Sequence, residues 1–448
     1  MTVPAVCFLC YSYRCGAREA GVTAAVSLVC RCWLEYRSSP FVRRGAVVTE
    51  PVIQLPTPGE LAFATFDRIA ERGPVVPIEL PGGVPAWVAT SHRAVSEVLA
   101  GDDKLFSKNA KNCPALHDGT IPAAWPLRAL TDLDHMLNKD GAEHRRLRRT
   151  ISQAFTPGRV AALEPRIQKI AASLIDDLPE GDEIDIVDSF TTPLPVRVIC
   201  ELFGVPESDH PQIRQWATTV VSHTSTAEQM QSAVQGMLGY LAELLERKRT
   251  EPGDDLTSAL LRANAENDLS MHEMVNMLWL TLIAGHETTV HLLSNAIVTL
   301  CAHPGQRAIA LAEDRWSDVV EEMLRYRSSV TIPFVRYALG DVTIAGCRIP
   351  AGSLVFWYAG VGRDPEHYPN ADVFDIDHDH RDQLAFGRGP HFCLGAPLAR
   401  LESRIALSAL FTRYPRLSLA CDPGDVPFGP QFLTVGPLSV PVRLVPAV

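Results

Sequence analysis

One cysteine of this chain stands in a loop whose composition is typical of a binding site. Residues 386–395 read Phe-Gly-Arg-Gly-Pro-His-Phe-Cys-Leu-Gly, so three glycines and a proline surround Cys393. Glycines permit tight turns and let a flat group approach the backbone closely. A helix is predicted from Pro397 onward, and the unpaired N–H groups and positive dipole end at a helix start lower the pKa of a nearby thiol. The loop therefore predicts a thiolate at Cys393.

Taken alone, the same residues allow two other interpretations. A free cysteine is commonly a small buried hydrophobe, so Cys393 could be structural. It could also be the nucleophile of a cysteine enzyme, with His391 two residues away, although the sequence identifies no paired base.

A carboxylic acid and a hydroxyl follow a glycine in the segment Ala-Gly-His-Glu-Thr-Thr, residues 284–289. The Thr288 hydroxyl can bond a carbonyl one turn back and loosen a helix there. Gly285 removes a side chain and would leave a groove, while Glu287 can exchange protons with ordered water. The alternative interpretation is a glycine-tolerant packing position in a core helix.

The element that carries this segment is predicted to be one long helix. Ser270 and Glu273 form a capping box. An apolar-rich run then continues to just before Pro304, which predicts about 33 helical residues over roughly 50 Å. Because its apolar residues surround the axis, we expect this helix to be central and buried.

Two further pairs of ionisable residues have the spacing of neighbours on a helix. Glu322 and Arg325 are three residues apart, and His144 and Arg148 are four apart. Each pair would lie on one helical face. In isolation such pairs are usually solvated surface features of little energetic value.

The cysteine loop resembles the haem-binding signature of the cytochrome P-450 family, in which Phe, Gly, Cys and Gly stand at the positions of Phe386, Gly389, Cys393 and Gly395. The other motifs agree with that family in order and spacing, and together they cover about residues 51 to 448. The resemblance implies that Cys393 is the axial ligand to the iron of haem b, because a thiolate favours O–O cleavage.

The resemblance also implies roles for the remaining motifs. Glu287 and Thr288 correspond to the family's acid–alcohol pair for oxygen activation. Glu322 and Arg325 correspond to a buried brace behind the cysteine loop. The residues implied to contact the haem or its propionates are His144, Arg148, Arg336, Phe386, Gly389, His391, Cys393 and Gly395.

The brace departs from the family pattern at one position. Its usual third member is an arginine after a Phe-Asp segment, whereas Phe374 and Asp375 here lead to His378. Either a protonated His378 replaces that arginine, or Arg381 reaches in.

Composition excludes several classes of protein. The net charge of −11 argues against a nucleic-acid binder, and the absence of about 20 consecutive apolar residues argues against a membrane span. Six cysteines are scattered singly after residue 100, as in a reducing cytoplasm. The first 47 residues have four more basic than acidic residues, so the remainder carries −15. We expect this extension to be disordered or to precede the true start near Val48.

Residues 48–448 are predicted to form a single, mainly α domain with minor β structure. The strands expected are residues 77–80 and 86–89, joined as a hairpin across Pro81-Gly82-Gly83, and residues 342–344, 347–349 and 354–356. No linker or internal repeat divides this part of the chain.

By the family resemblance, the expected activity is a haem-thiolate monooxygenation of a bulky apolar small molecule such as a steroid, terpenoid or macrolide. No flavin or iron–sulfur domain and no nucleotide fingerprint is present. Electrons are therefore expected from ferredoxin and ferredoxin reductase, docking on a basic patch of the cytoplasmic, monomeric enzyme. A peroxide-driven enzyme and a non-catalytic haem- or ligand-binding protein are the alternatives. The residues expected to wall the pocket include Trp125, Leu130, Leu133, Ile332 and Phe432.

Overall fold

The computed structural model describes residues 52–445, apart from 56–61, 123–124, 126, 154, 180–182, 222–224, 265–268 and 430–432. The described residues belong to one compact unit, Val52–Val448. The expected N-terminal extension, residues 1–47, lies outside the described residues, as do Phe432 and the side chain of Leu130.

Helices dominate the described chain, which confirms the mainly α prediction. The long helix begins as expected, because the Glu273 N–H donates to Ser270 Oγ (3.1 Å) and the Ser270 N–H donates to the Glu273 carboxylate (2.9 Å). It runs for 32 residues and ends at Ala302, with His303 as its C-cap. The helices are α1 (Ala62–Ala70), α2 (His92–Ala100), α3 (Arg128–Thr131), α4 (Gly141–Ser152), α5 (Pro157–Ala162), α6 (Glu164–Asp176), α7 (Pro193–Phe203), α8 (His210–Val221), α9 (Ala227–Thr250), α10 (Leu256–Asn264), α11 (Met271–Ala302), α12 (Pro304–Glu313), α13 (Trp316–Tyr326) and α14 (Ala396–Arg413).

The β structure of the described residues is a six-stranded sheet and two smaller ones. The predicted hairpin is present, with Val75 opposite Ala89 and Leu80 opposite Val84, and each strand is longer than expected. Gly82 and Gly83 both have positive φ in its turn. The strands are β1 (Ile53–Gln54), β2 (Val75–Leu80), β3 (Val84–Ala89), β4 (Phe106–Ser107), β5 (Ile184–Asp185), β6 (Arg336–Ala338), β7 (Val342–Ile344), β8 (Cys347–Ile349), β9 (Leu354–Trp357), β10 (Ser418–Leu419) and β11 (Pro441–Arg443).

The large sheet has the order β1-β2-β3-β9-β6-β4, with β1–β2 and β3–β9 parallel and the other pairs antiparallel. The predicted strands 342–344 and 347–349 pair with each other as β7 and β8, and the strand predicted at 354–356 is β9. Each of these predictions is confirmed.

Two hydrophobic clusters form the core. The larger cluster surrounds α11, whose Leu278, Leu282, Leu293 and Ile297 are fully buried. The smaller cluster covers the six-stranded sheet and includes the predicted pocket residues Trp125 and Ile332. Burial of α11 on nearly all sides confirms the expected central helix and makes it a rigid support for residues 284–289.

Candidate active site around Cys393

The cysteine loop is a tight turn that ends where α14 begins. Gly387 and Gly389 have φ of 68° and 78°, a conformation that glycine adopts without a steric cost. The Cys393 N–H donates to the Phe386 carbonyl (2.9 Å), and the Ala396 N–H donates to the Cys393 carbonyl (3.4 Å) at the helix start. The predicted helix therefore follows the cysteine, starting one residue earlier than expected.

The predicted low pKa of Cys393 is wrong for the polypeptide alone. Burial raises the pKa of this thiol, although the Gly395 N–H, Arg148, the Ala396 N–H and Arg400 all lower it in part. The helix start thus favours the thiolate, as expected, but burial outweighs it. A bound metal ion deprotonates a coordinating thiol outright, so the two effects together suit a metal ligand better than a free nucleophile.

Arg148 connects α4 to the cysteine loop. Its Nη2 donates to the Phe392 carbonyl at 2.6 Å, next to the cysteine. On the other side of the loop, the Arg400 guanidinium lies 4.6 Å from the centre of the Phe386 ring. One cation from α4 and one from α14 therefore contact the loop backbone and its leading aromatic residue.

Buried donors without partners lie near the loop. His144 is 1% exposed, its ring centre is 4.2 Å from that of His391, and neither of its nitrogens makes a hydrogen bond among the described residues. Within that part of the chain, Nε2 of His391 and Nη1 of the buried Arg336 also have none. Burial lowers the pKa of both histidines. Unsatisfied buried donors are costly, so this cluster is suited to an anionic ligand.

Acidic neighbours do not satisfy these donors. Nε and Nη2 of Arg336 donate to Asp102 at 2.6 Å and 2.8 Å, but Nη1 of Arg336 does not contribute to this pair. Carboxylate oxygens of Asp103 and Asp140 lie within 4.8 Å of a His391 ring nitrogen. Each of these carboxylates, however, accepts a backbone N–H, from Gly141 (3.1 Å) and Lys108 (2.7 Å) respectively.

Sequence reasoning missed Asp102 and Lys108. Asp102 is the buried counterion of Arg336, and the buried Lys108 Nζ donates to the Phe334 carbonyl at 3.1 Å. Burial and the nearby Arg336 hold the pKa of Lys108 well below its ordinary value. Neither residue stands at a distinctive spacing in the sequence. The fold alone brings Asp102 and Lys108 to the strand region of Arg336 and Phe334.

On α11, the expected Thr288 bond is present, with Oγ1 donating to the Ala284 carbonyl at 2.8 Å. We expected Gly285 to leave an open groove beside the helix, but its face is covered by a neighbouring helix. A Cβ at this position would lie 3.3 Å from Ile199 Cδ1 of α7, so the glycine permits close helix packing. The packing interpretation is therefore supported for Gly285. The Glu287 carboxylate lies 3.4 Å from Nε2 of His291.

The Glu322–Arg325 pair is fully buried rather than a surface feature. Nη2 and Nε of Arg325 each donate to the Glu322 carboxylate at 2.7 Å. The remaining Arg325 hydrogen bonds go to backbone carbonyls of Gly362, Ala371 and Val373. The pair therefore ties α13 to the segment that leads towards the cysteine loop.

Two histidines complete this brace. Nδ1 of His378 lies 3.0 Å and Nε2 of His380 lies 3.1 Å from the Glu322 carboxylate. The predicted alternative, Arg381, is wrong, because its guanidinium pairs with Asp379 at the surface. Sequence reasoning missed His380, because residues 376–378 form a turn and no regular spacing predicts which side chains of this segment face Glu322. Burial raises the pKa of Glu322, but hydrogen bonds from Arg325, His380 and the Asp375 N–H lower it to about 2.

Comparison with known proteins agrees with this geometry. The family model for cytochrome P450 matches residues 51–311 and 316–431. The chain is 39% identical to vitamin D(3) 25-hydroxylase of Pseudonocardia autotrophica, over 85% of this chain and 93% of that protein. It is 37% identical to 6-deoxyerythronolide B hydroxylase of Saccharopolyspora erythraea, over 85% of this chain and 96% of that protein. The solved structure of CYP154C4 from Streptomyces sp. W2061 superposes with a TM-score of 0.83 at 35% identity. The superposition covers 88% of this chain and 98% of that one.

The chain belongs to the cytochrome P450 family and has its fold. It is a monooxygenase whose cofactor is haem b. The structure fits this group, because the half-buried Cys393 lies in the loop that also carries His391, and His144, His391 and Arg336 have unpaired nitrogens that suit carboxylates. Among the described residues, no helix is long and apolar enough to cross a membrane.

Proposed function

We propose that this enzyme inserts one oxygen atom from O2 into a bulky apolar small molecule, with a macrolactone as the first candidate substrate. The single observation that carries the proposal is Cys393, a half-buried thiol at a helix start in a loop shaped by two positive-φ glycines. The relatives acting on 6-deoxyerythronolide B and vitamin D3 support this substrate class. They also make a steroid-like skeleton the second candidate.

Each site residue has a proposed task. Cys393 ligates the iron, and His144, His391 and Arg336 hold the carboxylates of the haem. Arg148 supports the loop through the Phe392 carbonyl. When bound, the haem supplies the oxygen chemistry, and the chain supplies orientation and protons.

Glu287 and Thr288 are proposed to manage those protons. The Thr288 hydroxyl already donates to a helix carbonyl, so its oxygen is free to accept a hydrogen bond from water. Glu287 can take up and release a proton beside it. This relay favours an O2-dependent enzyme over one driven by peroxide.

Ferredoxin and its reductase are the proposed electron donors. The side chains of Arg145 and Arg149 on α4 and of Arg388 in the cysteine loop are exposed. Helix α4 contacts this loop through Arg148, and Arg388 precedes Cys393 by five residues in the chain. Phe392, whose carbonyl accepts a hydrogen bond from Arg148, is 40% exposed. Exposed basic side chains on α4 and in the loop, together with this exposed aromatic ring, suit a small acidic carrier. The six described cysteines are free thiols, which supports the proposed cytoplasmic location.

Three measurements test this function. Carbon monoxide added to the reduced protein should produce the shifted Soret absorption of thiolate-bound haem, and Cys393→Ala should abolish it. Spectral titration should detect binding of 6-deoxyerythronolide B or vitamin D3. Turnover should then require O2, NADPH, ferredoxin and its reductase.

The alternatives give different results in the same measurements. Turnover with peroxide but not with ferredoxin would identify the peroxide-driven enzyme. Haem binding without substrate-dependent oxygen consumption would identify a binding protein. Either result would overturn the proposed reaction.

A further inference from the structure

Glu287, the acid of the proposed relay, has a histidine one turn along the same helix. Nε2 of His291 lies 3.4 Å from Oε1 of Glu287, and the two side chains are only 8% and 16% exposed. Residues four apart on a helix share one face. The contact is therefore set by the helix and does not depend on a mobile loop.

His291 has little else to interact with in the described part of the chain. Neither of its ring nitrogens makes a hydrogen bond there. A buried donor without a partner is costly, which favours a closer approach between the ring and Glu287. The neighbouring His286 does not compete as a cation, because burial lowers its pKa to about 4.

The segment containing Val435 and Gly436 fixes the position of the His291 ring. A Cβ on Gly436 would lie 2.0 Å from Nδ1 of His291, so only glycine allows the ring to stand where it does. The segment itself is anchored, since Asn295 donates to the Val435 carbonyl (3.0 Å) and the Val435 N–H donates to the Ser329 carbonyl (2.8 Å). The segment therefore holds the imidazole beside the acid.

We propose that His291 is a positioning residue for Glu287, holding its carboxylate beside Thr288 so that proton delivery keeps pace with electron delivery. This inference rests on the proposed O2-dependent function. In the productive reaction, one oxygen atom enters the substrate and the other leaves as water, with two electrons from NADPH and two protons. If proton delivery to the correct oxygen fails, the same electrons and protons convert O2 into hydrogen peroxide.

The first test measures hydrogen peroxide released per NADPH consumed, with ferredoxin, its reductase and whichever of 6-deoxyerythronolide B or vitamin D3 the wild type oxidises. His291→Leu removes the donor and should raise this ratio several-fold and increase the solvent isotope effect. His291→Gln keeps an N–H at a similar reach and should stay close to wild type. His303→Leu is the matched control, because it removes a histidine from the end of the same helix.

Gly436→Ala tests the positioning without changing the ring. Its methyl group should displace the imidazole and reproduce the His291→Leu ratio, and the double variant should be no worse than either single variant. A His291→Leu ratio equal to that of His303→Leu would overturn the proposal.

A second readout does not depend on turnover. In enzyme labelled with 15N-histidine, studied as the diamagnetic reduced carbon-monoxide form, Glu287→Gln should shift the ring resonances that His291→Gln removes. Unmoved resonances would overturn the contact itself. If instead neither probe compound is oxidised while the resonances move, the substrate proposal fails and the Glu287–His291 pairing stands.

Discussion

At the scale of single residues, two glycines of this fold face very different neighbours. A Cβ at Gly285 would meet the end of a side chain, Ile199 Cδ1, at 3.3 Å, whereas one at Gly362 would lie 2.3 Å from the Arg325 carbonyl oxygen. A side-chain terminus can shift and a braced backbone cannot. The two positions therefore offer a matched test of what each glycine does.

We expect Gly285→Ala to change the free energy of unfolding by less than about 1 kcal/mol, because the gain in helix propensity offsets the crowding. Gly362→Ala should destabilise the protein by more than about 2 kcal/mol, since overpacking against backbone forces a shift. Urea unfolding of the haem-loaded enzyme measures both. Equal losses would show that the packing at Gly285 is as rigid as that at Gly362.

Asp102 offers a second prediction at this scale. It is 2% exposed with Arg336, so Asp102→Asn leaves a buried guanidinium without its counterion. Removing one partner of a buried pair typically costs about 3–5 kcal/mol. The control is Asp341→Asn, whose partner Arg348 is exposed and whose loss should cost under about 1 kcal/mol. Similar unfolding midpoints for the two variants would contradict the assigned burial.

At the scale of elements, the brace between α13 and the segment before the cysteine loop depends on two histidines. His378→Ala or His380→Ala should each destabilise the protein by about 1–3 kcal/mol, as expected for a hydrogen bond to a charged group. Arg381→Ala should have no measurable effect, because this side chain is 88% exposed. Thermal unfolding distinguishes them, and a loss confined to Arg381→Ala would restore the arginine as the third member.

The same brace predicts an acid dependence of stability. The folded pKa of Glu322 is lowered to about 2, below its ordinary value of 4.5. Such a group stabilises the fold fully above its unfolded pKa, and the stabilisation is lost as the pH falls towards 2. The wild type should therefore lose about 3 kcal/mol more than Glu322→Gln between pH 5 and pH 2 in urea titrations. Parallel curves for the two proteins would place the acid dependence elsewhere.

At the scale of the whole molecule, the sequence predicted features set by nearby residues and missed those set by contacts between distant parts of the chain. The capping box at Ser270 and the hairpin glycines act within a few residues, so α11 and the β2–β3 hairpin were predictable. The pairing of Asp102 with Arg336 spans 234 residues and depends on the assembled sheet. The pKa of Cys393 depends on burial, which spacing around a helix start does not reveal.

The charge distribution of the molecule leads to the last prediction. The described domain lies in the part of the chain that carries −15, so its net charge repels an acidic carrier, which therefore needs a local cationic surface for docking. Arg145 and Arg149 provide such a surface on the helix that contacts the cysteine loop through Arg148. Reversing both charges, Arg145→Glu with Arg149→Glu, should therefore slow reduction by ferredoxin and flatten its dependence on salt, because steering by charge acts on the association rate.

Stopped-flow reduction at several ionic strengths measures this effect. Arg249→Glu on α9 is the control, since it reverses another exposed charge on a helix that does not contact the loop through Arg148. If the double variant and the control are reduced at the same rate and with the same salt dependence, the carrier docks on another face. Electrons would then have to reach Cys393 by a route that avoids Phe392 and α4.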